Sequence, residues 1–443
     1  MRRSEIYSAS VIVLSLASLV QNIAGTLPAS YFPFYATALG AETWFIGAFV
    51  AAFLATSAIL SSPFGSLSDR IGRKKLIQAG LLTDVFLGTV TGLIQWWPSL
   101  LIIRALNGVA TAAVRPVAEA SLVDQVPENR RGEALGFFLT ATLIGWFLGP
   151  VFGGAIQYWS ETGLGLALED SYRIPYFVDS GLSVVAMGLV AWKVQETRGN
   201  VSTRKGIDPK DGNGVKLAGW VLRSIRILYI TTLTNGFAVG FIAPVSVLFL
   251  GAMFAAIPFQ IGVILSVSGF VGLLCNFLAG KLADMWGRKP VIAIGSLSSR
   301  LASLGLPFTS NLWHATGVMA FRSLGINVSM PAGRALRADL TPAKIRGKLF
   351  GRFSASFYSG MVAGALLGPW LFDTFQSAEF HIHWLGGLSV RGIGLPFFVS
   401  GGMGLIALVL LLIFVKEPPR KTRRGLGPRP HETQKRSNEN ARR

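Results

Sequence analysis

The stretch G-S-L-S-D-R-I-G-R-K-K, from Gly65 to Lys75, occurs again as G-K-L-A-D-M-W-G-R-K-P, from Gly280 to Pro290. Six residues of the first copy are identical in the second at a constant offset of 215 positions: Gly65, Leu67, Asp69, Gly72, Arg73 and Lys74. A further loop repeats at the same offset, because Asp124 matches Asp339 and Arg131 matches Arg346. Self-similarity at one offset in separate segments indicates that the chain consists of two equivalent halves.

Both copies lie between long apolar runs. The chain has 443 residues, of which 51% are hydrophobic and only 14% are charged, whereas soluble domains carry about 25% charged residues. A helix of about 20 apolar residues crosses the hydrocarbon core of a bilayer. We predict six such spans in each half, which start near Ser8, Trp44, Leu76, Ser99, Ala134 and Pro175 and near Arg226, Ala256, Val291, Asn311, Leu349 and Gly394. The predicted fold class is an all-α integral membrane protein with twelve transmembrane helices in two pseudo-symmetric six-helix bundles.

Polar segments set the predicted domain boundaries. The N-terminal six-helix bundle covers residues 1–195, and a polar linker covers 196–225. The C-terminal bundle covers 226–416, and a basic tail covers 417–443.

The formal net charge of +19 is explained by topology. With the N-terminus in the cytoplasm, 33 of the 41 Lys and Arg residues lie in cytoplasmic segments, and Arg173 and Arg391 alone lie in the opposite loops. This asymmetry places both termini in the cytoplasm by the positive-inside rule. We therefore expect a multi-pass protein of the plasma membrane that attracts anionic lipid of the inner leaflet, and no nucleic-acid partner.

The chemistry of the repeated loop predicts an ion-pair network. Gly72 permits a tight reversal and Gly65 permits close helix approach. Asp69 is suited to a helix start, and the guanidinium of Arg73 is suited to bridge to the carboxylate of Asp124. The second copy supplies the corresponding set, Gly280, Asp284, Arg288 and Asp339. Such a network could latch one conformation and release in another; the alternative is that these are ordinary anchoring charges.

The loop resembles the signature of the major facilitator superfamily, G-x-L-a-D-r-x-G-R-k-k between helices two and three. The resemblance covers essentially the whole chain, although the second copy departs at Met285 and Pro290, where the family often has basic residues. It implies a transporter of small molecules that works by alternating access. It also implies that two bundles rock around a central cavity lined by spans one, four, seven and ten.

Span five carries G-W-F-L-G-P-V-F-G-G, which looks like the glycine element of the family's drug-proton antiporters. Gly145, Gly149 and Gly153 share one helical stripe, followed by Gly154, and Pro150 loosens the helix. The alternative is a role in helix packing alone.

Several polar residues within the spans are candidates for the substrate cavity. Arg104 and Arg115 in span four fall on one helix face, since eleven residues complete three turns. The remaining candidates are Asn22, Asn107, Asn235, Arg322, Asn327 and Arg334. The alternatives are helix-to-helix hydrogen bonds for the asparagines and structural pairing for Arg104.

Proton coupling requires a titratable group in or near the cavity. The candidates are Glu119, one turn beyond Arg115, and Asp84 in span three, for which the alternative is a buried pair with Arg115. Span one lacks the buried acid that some multidrug antiporters carry.

We predict proton-coupled efflux of amphipathic drugs or other small molecules, by a monomer. A carrier for an organic anion or metabolite is the alternative, motivated by the arginines of spans four and ten. No H-E-x-x-H, G-x-S-x-G or P-loop pattern occurs, so neither an enzyme nor a cofactor is predicted. His381 and His383 form an H-x-H in an outer loop, which is too small a ligand set to predict a metal.

Overall fold

The computed structural model describes residues 8–127, 130–197, 219–342, 345–382 and 388–417. Most of the predicted linker, the tail from residue 418 onward and His383 lie outside the described residues.

The N-terminal half contains six long helices in the predicted order. They are α1 (Ala9–Thr26), α2 (Phe45–Ile71), α3 (Arg73–Leu93), α4 (Pro98–Asp124), α5 (Arg131–Thr162) and α6 (Ile174–Lys193). Two short helices, Phe32–Ala38 and Leu168–Ser171, precede α2 and α6.

The C-terminal half repeats this arrangement. Its long helices are α7 (Gly219–Phe254), α8 (Pro258–Trp286), α9 (Arg288–Gly305), α10 (Leu312–Leu340), α11 (Arg346–Thr374) and α12 (Leu395–Phe414). Among the described residues, eleven helices are long and apolar enough to cross a membrane. The remaining long helix, α10, has sufficient length at 29 residues but is more polar.

Helix α7 begins at Gly219, inside the segment predicted as linker. The charges of Arg223 and Arg226 suggested a later start, but both side chains are exposed while Ser224 and Ile225 are buried. The polar segment continues the helix because its apolar residues face the bundle and its charges face outward.

Local chemistry sets the helix ends. Proline occupies the first turn of α4, α6, α8 and α12, where its missing N–H leaves no intrahelical bond unmade. The turns between α2 and α3 and between α8 and α9 are single glycines, Gly72 and Gly287, each with φ +106°. The side of the molecule that holds these two turns is called the basic face here.

A hydrophobic cluster near the opposite face is shared by the two halves. It includes Tyr31, Phe49 and Tyr176 from the N-terminal half, and Phe249 and Phe397 from the C-terminal half. Near the basic face the cores are separate, one built from α1, α3, α4, α5 and α6 and the other from α7 to α12. The halves are therefore closed at the opposite face and apart at the basic face.

Contacts between the halves follow the same division. A Cβ added to Gly154 in α5 would lie 2.5 Å from the carbonyl oxygen of Pro258, which begins α8. A Cβ at Gly47 in α2 would lie 3.2 Å from the carbonyl carbon of Ala365 in α11. Near the basic face, by contrast, a Cβ at Gly136 or Gly351 would meet no atom within 4 Å.

A small antiparallel sheet lies in the loop between α11 and α12. Strand β1 (Glu379–Ile382) pairs with β2 (Leu388–Arg391), with Phe380 opposite Val390. The sequence predicts only an outer loop here.

Candidate gating network and transport pathway

An ion-pair cluster joins three helices of the N-terminal half at the basic face. Arg73 is the first residue of α3, and its side chain is only 7% exposed. Its Nη2 lies 3.2 Å from Asp69 Oδ1 at the end of α2, and its Nε lies 2.8 Å from Asp124 Oδ2 at the end of α4. The pairing predicted between Arg73 and Asp124 is present, and it ties the ends of α2, α3 and α4 together.

The C-terminal half holds a looser copy of this cluster. Arg288 Nη1 lies 2.6 Å from Asp284 Oδ1, and Arg288 Nε lies 3.4 Å from Asp339 Oδ2. The Arg288 side chain is 15% exposed, and that of Asp284 is 70% exposed. Water competes more strongly for such exposed charges, so each pair contributes less than its buried counterpart.

Two glutamates complete these clusters, and sequence reasoning missed them. Glu196 follows α6, and its Oε1 accepts a hydrogen bond of 3.0 Å from the backbone N–H of Lys74. Glu417 follows α12, and its Oε1 accepts one of 2.8 Å from the backbone N–H of Arg288. A carboxylate at a helix N-terminus satisfies free N–H groups and opposes the positive end of the helix dipole.

A repeat in the sequence could have revealed both glutamates. They are separated by 221 positions, the same offset as Pro175 and Pro396 at the starts of α6 and α12. The lysines that follow Arg73 and Arg288 also contact the ends of the helices that precede the two glutamates, α6 and α12. Lys74 Nζ donates to the carbonyl of Ala191 at 2.8 Å, and Lys289 Nζ donates to that of Leu412 at 2.8 Å.

The glycines of the repeated loop differ in backbone conformation and in how closely other atoms surround them. Gly72 has positive φ, and a Cβ there would lie 2.7 Å from the Glu196 carboxylate, so the predicted reversal is present. The prediction of close helix approach at Gly65 is wrong in this conformation, because a Cβ there would meet no atom within 4 Å. The halves are apart at this face, which leaves the Gly65 surface open. Gly280 lies within α8.

The glycine element of α5 packs on two different partners. A Cβ at Gly145 would lie 3.0 Å from Asn22 Cβ, one at Gly149 would lie 2.7 Å from the Ile23 carbonyl oxygen, and one at Gly153 would lie 2.7 Å from the Leu27 carbonyl carbon. These three glycines therefore seat α5 on α1. Gly154 and Pro150 meet α8 of the other half, at Pro258 and Gly262. The element combines packing within one half with contact between the halves.

The charges of α4 lie at two depths. Arg104, near the opposite face, places its guanidinium carbon 3.6 Å from the centre of the Phe32 ring. Arg115, nearer the basic face, lies 5.6 Å above the Trp146 ring. Glu119 interacts electrostatically with Arg115 and with Arg334 of the other half. Arg115, Trp146 and Arg334 are exposed.

The other cavity candidates make contacts within their own halves. Asn22 and Asn327 donate to the carbonyls of Ser18 and Ser323, one turn earlier in their own helices, at 2.7 and 2.9 Å. Asn107 Oδ1 is buried, with no hydrogen-bond partner among the described residues. Asn235 and Arg322 contact α9 inside the C-terminal half.

Asp84 pairs with amide and hydroxyl groups rather than with Arg115. Its Oδ2 accepts hydrogen bonds from Gln21 Nε2 at 2.7 Å and from Ser183 Oγ at 2.8 Å. This arrangement joins α3 to α1 and α6 in the interior of the N-terminal half. No cation is among these hydrogen-bond donors.

A second buried acid, Asp179, was missed from the sequence. It lies on α6, is 7% exposed, and interacts electrostatically with Asp84 and Arg104. The repeat offers the missing indication, because P-Y-F-V-D at residues 175–179 corresponds to P-F-F-V-S at residues 396–400. An acid in one half where the other has serine marks a specialised position.

Comparison with known proteins decides the family. The model of the Major Facilitator Superfamily matches residues 14–226 and 228–439. The chain belongs to the Major Facilitator Superfamily. Such proteins are transporters and not enzymes.

Relatives within this superfamily include multidrug resistance proteins. The chain is 30% identical over 366 residues to multidrug resistance protein MdtG of Citrobacter koseri, with 80% of this chain and 86% of the relative covered. It is 28% identical over 365 residues to the protein of that name from Salmonella arizonae, with the same coverage. A crystal structure of a D-xylose-proton symporter matches with a TM-score of 0.72 at 16% identity, over 94% of this chain and 99% of that one. The structural match establishes the fold alone.

Metal binding has no candidate in the ranges given above. No group of three or more His, Cys, Asp or Glu side chains comes together among the residues that the structure describes.

Proposed function

We propose that this major facilitator superfamily transporter exports amphipathic small molecules in exchange for protons, by alternating access. The observation that carries the proposal is the distribution of the cores. The halves share one core near the opposite face and have separate cores near the basic face. Such a molecule opens at the opposite face when the two halves separate at the shared core and approach each other at the basic face.

The direction of the opening follows from the charges. We place the basic face in the cytoplasm, because the sequence assigns 33 of the 41 Lys and Arg residues to segments predicted on that side and two to the opposite loops. The cavity then takes up substrate from the cytoplasm or the inner leaflet of the plasma membrane, as an exporter requires. The printed names of the relatives, multidrug resistance proteins, support efflux as the physiological direction.

Two carboxyl groups are suited to couple transport to protons. Asp84 is held by Gln21 and Ser183 between three helices, so its protonation changes the charge inside the bundle. Glu119 interacts electrostatically with Arg334 of the other half. A deprotonated Glu119 attracts Arg334 and favours approach of the halves at the basic face, whereas protonation removes that attraction.

The ion-pair clusters act as latches in this proposal. While the halves are apart at the basic face, Arg73 pairs with Asp69 and Asp124 of its own half. These pairs hold the ends of α2, α3 and α4 as one rigid unit that moves together.

The proposal is tested by reconstitution. Purified protein in liposomes that contain a pH-sensitive dye should move protons only when a transported compound, such as a lipophilic fluorescent cation, is added. Proton movement coupled to compound in the opposite direction supports exchange. Compound transport without proton movement contradicts the coupling, and no transport of any compound in a panel contradicts efflux.

Loss of the Arg73 charge should disable the N-terminal latch. We expect Arg73→Gln to lower the transport rate about tenfold, equivalent to about 1.4 kcal/mol in the barrier, because it removes the charge that pairs with Asp69 and Asp124. Arg70→Gln is the matched control, since Arg70 lies in the last turn of α2, next to Asp69, and is exposed. Initial rates in proteoliposomes, normalised to reconstituted protein, measure the effect. Equal rates for the two variants would remove the latch from the account.

A further inference from the structure

The interior of the C-terminal half holds a buried arginine, Arg300, that the family signature does not include. It lies on α9 and is 7% exposed. Its Nη2 donates a hydrogen bond to the amide oxygen of Asn235 on α7. Its Nε is buried, with no hydrogen-bond partner among the described residues. The guanidinium also fills the space beside Gly404 of α12, where an added Cβ would lie 2.6 Å from Arg300 Cζ.

A second arginine reaches the same place from α10. Arg322 Nε donates to Ser303 Oγ at 3.0 Å. Ser303 follows Arg300 by three residues and therefore lies on the same face of α9. The two guanidinium groups interact electrostatically with each other. Two like charges thus lie close together within a membrane-spanning bundle.

The C-terminal half supplies no carboxylate to balance them. Between residues 226 and 416 the sequence contains four acids. Asp284 and Asp339 lie in the cluster at the basic face, and Asp373 and Glu379 lie at the opposite end, near the end of α11 and in β1. Charge inside a bilayer is costly unless it is paired. Two cations inside the bundle without an internal counter-charge therefore indicate that an anion enters.

The equivalent place in the N-terminal half holds an acid instead of arginines. There α1, α3 and α6 bring Gln21, Asp84 and Ser183 together. Gly404 is the position equivalent to Ser183 at the offset of 221, and Arg300 is one residue beyond the position equivalent to Asp84 at the offset of 215. An amide from the first helix of each half faces a carboxylate in one half and a guanidinium in the other. The two equivalent places therefore hold opposite charges.

We propose that Arg300 and Arg322 form a binding site for a monovalent anion inside the C-terminal half. Planar guanidinium groups match a carboxylate, and they also attract a halide ion. The anion has two sources, a free inorganic ion or the carboxylate of a transported organic compound. The proposal goes beyond proton-coupled export, because anion binding at this site requires neither proton movement nor transport.

The test is thermal unfolding of the purified full chain in detergent, followed by the fluorescence of its tryptophans. Sodium chloride and sodium benzoate are titrated separately into a low-salt buffer. We expect a saturable rise in Tm of about 3 °C or more with at least one salt, since a bound ion stabilises the folded state. The rise should be absent in Arg300→Gln and Arg322→Gln, and present in Arg352→Gln, which removes an exposed arginine of the same half.

Stability without salt separates a binding site from a structural role. If the arginines bind an anion, removal of one unbalanced charge should leave the Tm of Arg300→Gln in low salt equal to or above that of the unmodified chain. Response to chloride alone assigns the site to an inorganic ion, and response to benzoate alone assigns it to a carboxylate; either supports the proposal. A Tm of the unmodified chain that follows neither salt, or an equal response in the arginine variants, would overturn it.

Discussion

Gly153→Val should prevent the N-terminal half from folding. A Cβ at Gly153 would lie 2.7 Å from the carbonyl carbon and 3.0 Å from the Cα of Leu27, so the added side chain meets backbone rather than a movable side chain. Helices α1 and α5 would have to separate along the whole glycine stripe. Overpacking of this kind costs about 1–3 kcal/mol where neighbours can adjust, and the rigid backbone here leads us to expect the upper end or more.

The matched control is Gly136→Val on the same helix. A Cβ at Gly136 would meet no atom within 4 Å, so the same residue is added to α5 without a clash. The yield of monodisperse protein after size-exclusion chromatography and the Tm of that fraction measure the effect. Gly153→Val should lose most of its monodisperse fraction while Gly136→Val keeps it. Similar yields and Tm values for both variants would show that the α1–α5 contact tolerates separation.

Asp84→Asn should abolish proton-driven accumulation of substrate. Asparagine keeps the shape of the protonated carboxyl and can still bond to Gln21 and Ser183, but it cannot release a proton. We therefore expect uphill transport under an imposed pH gradient to fall to the level of empty liposomes. Exchange of labelled for unlabelled substrate at equal concentrations should persist, because that exchange needs no net proton movement.

Asp170→Asn is the control for Asp84→Asn. Asp170 lies in the short helix before α6, where its side chain is 60% exposed and pairs with Arg173. This variant should accumulate substrate as the unmodified chain does. Full accumulation by Asp84→Asn would show that Asp84 does not couple transport to protons. Glu119 and Asp179 would then be the candidates among the described residues. Loss of exchange as well as accumulation would indicate a structural role for Asp84.

Acids inside the N-terminal half and arginines at the equivalent place in the C-terminal half have a common explanation. Asp84 and Asp179 lie within the N-terminal half, whereas Arg300 and Arg322 lie within the C-terminal half. In this account, protons are handled on one side of the central cavity and an anionic group is bound on the other. Alternating access changes how each half meets its partner, so the occupancy of either interior can influence the balance between conformations.

The fold was predictable because its indications are local and repeated. Twelve apolar runs and a repeated loop were sufficient, and the pairing of Arg73 with Asp124 followed from the chemistry of that loop. The start of α7 was missed because charges such as Arg223 are compatible with a helix that continues beyond the apolar core. Contacts between distant segments were the least accessible from sequence.

The missed site residues illustrate this limit. Glu196 and Glu417 act at helix starts more than 100 residues away in the chain, so no local pattern links them to Arg73 or Arg288. Asp179 and Arg300 become notable only when each half is compared with the other. The close helix contact predicted at Gly65 is absent for a different reason. Such a contact depends on which face of the transporter is closed.

Distances between the halves test alternating access most directly. The single cysteine, Cys275, is replaced by serine, and pairs of spin labels are placed on exposed residues of the two halves. Gly136→Cys with Gly351→Cys reports on the basic face, and Glu42→Cys with Gln376→Cys reports on the opposite face. Pulsed electron paramagnetic resonance then gives both distances with and without transported compound, at two pH values. Alternating access predicts that the first distance shortens as the second lengthens. Distances that stay constant, or that change in the same direction, would contradict it.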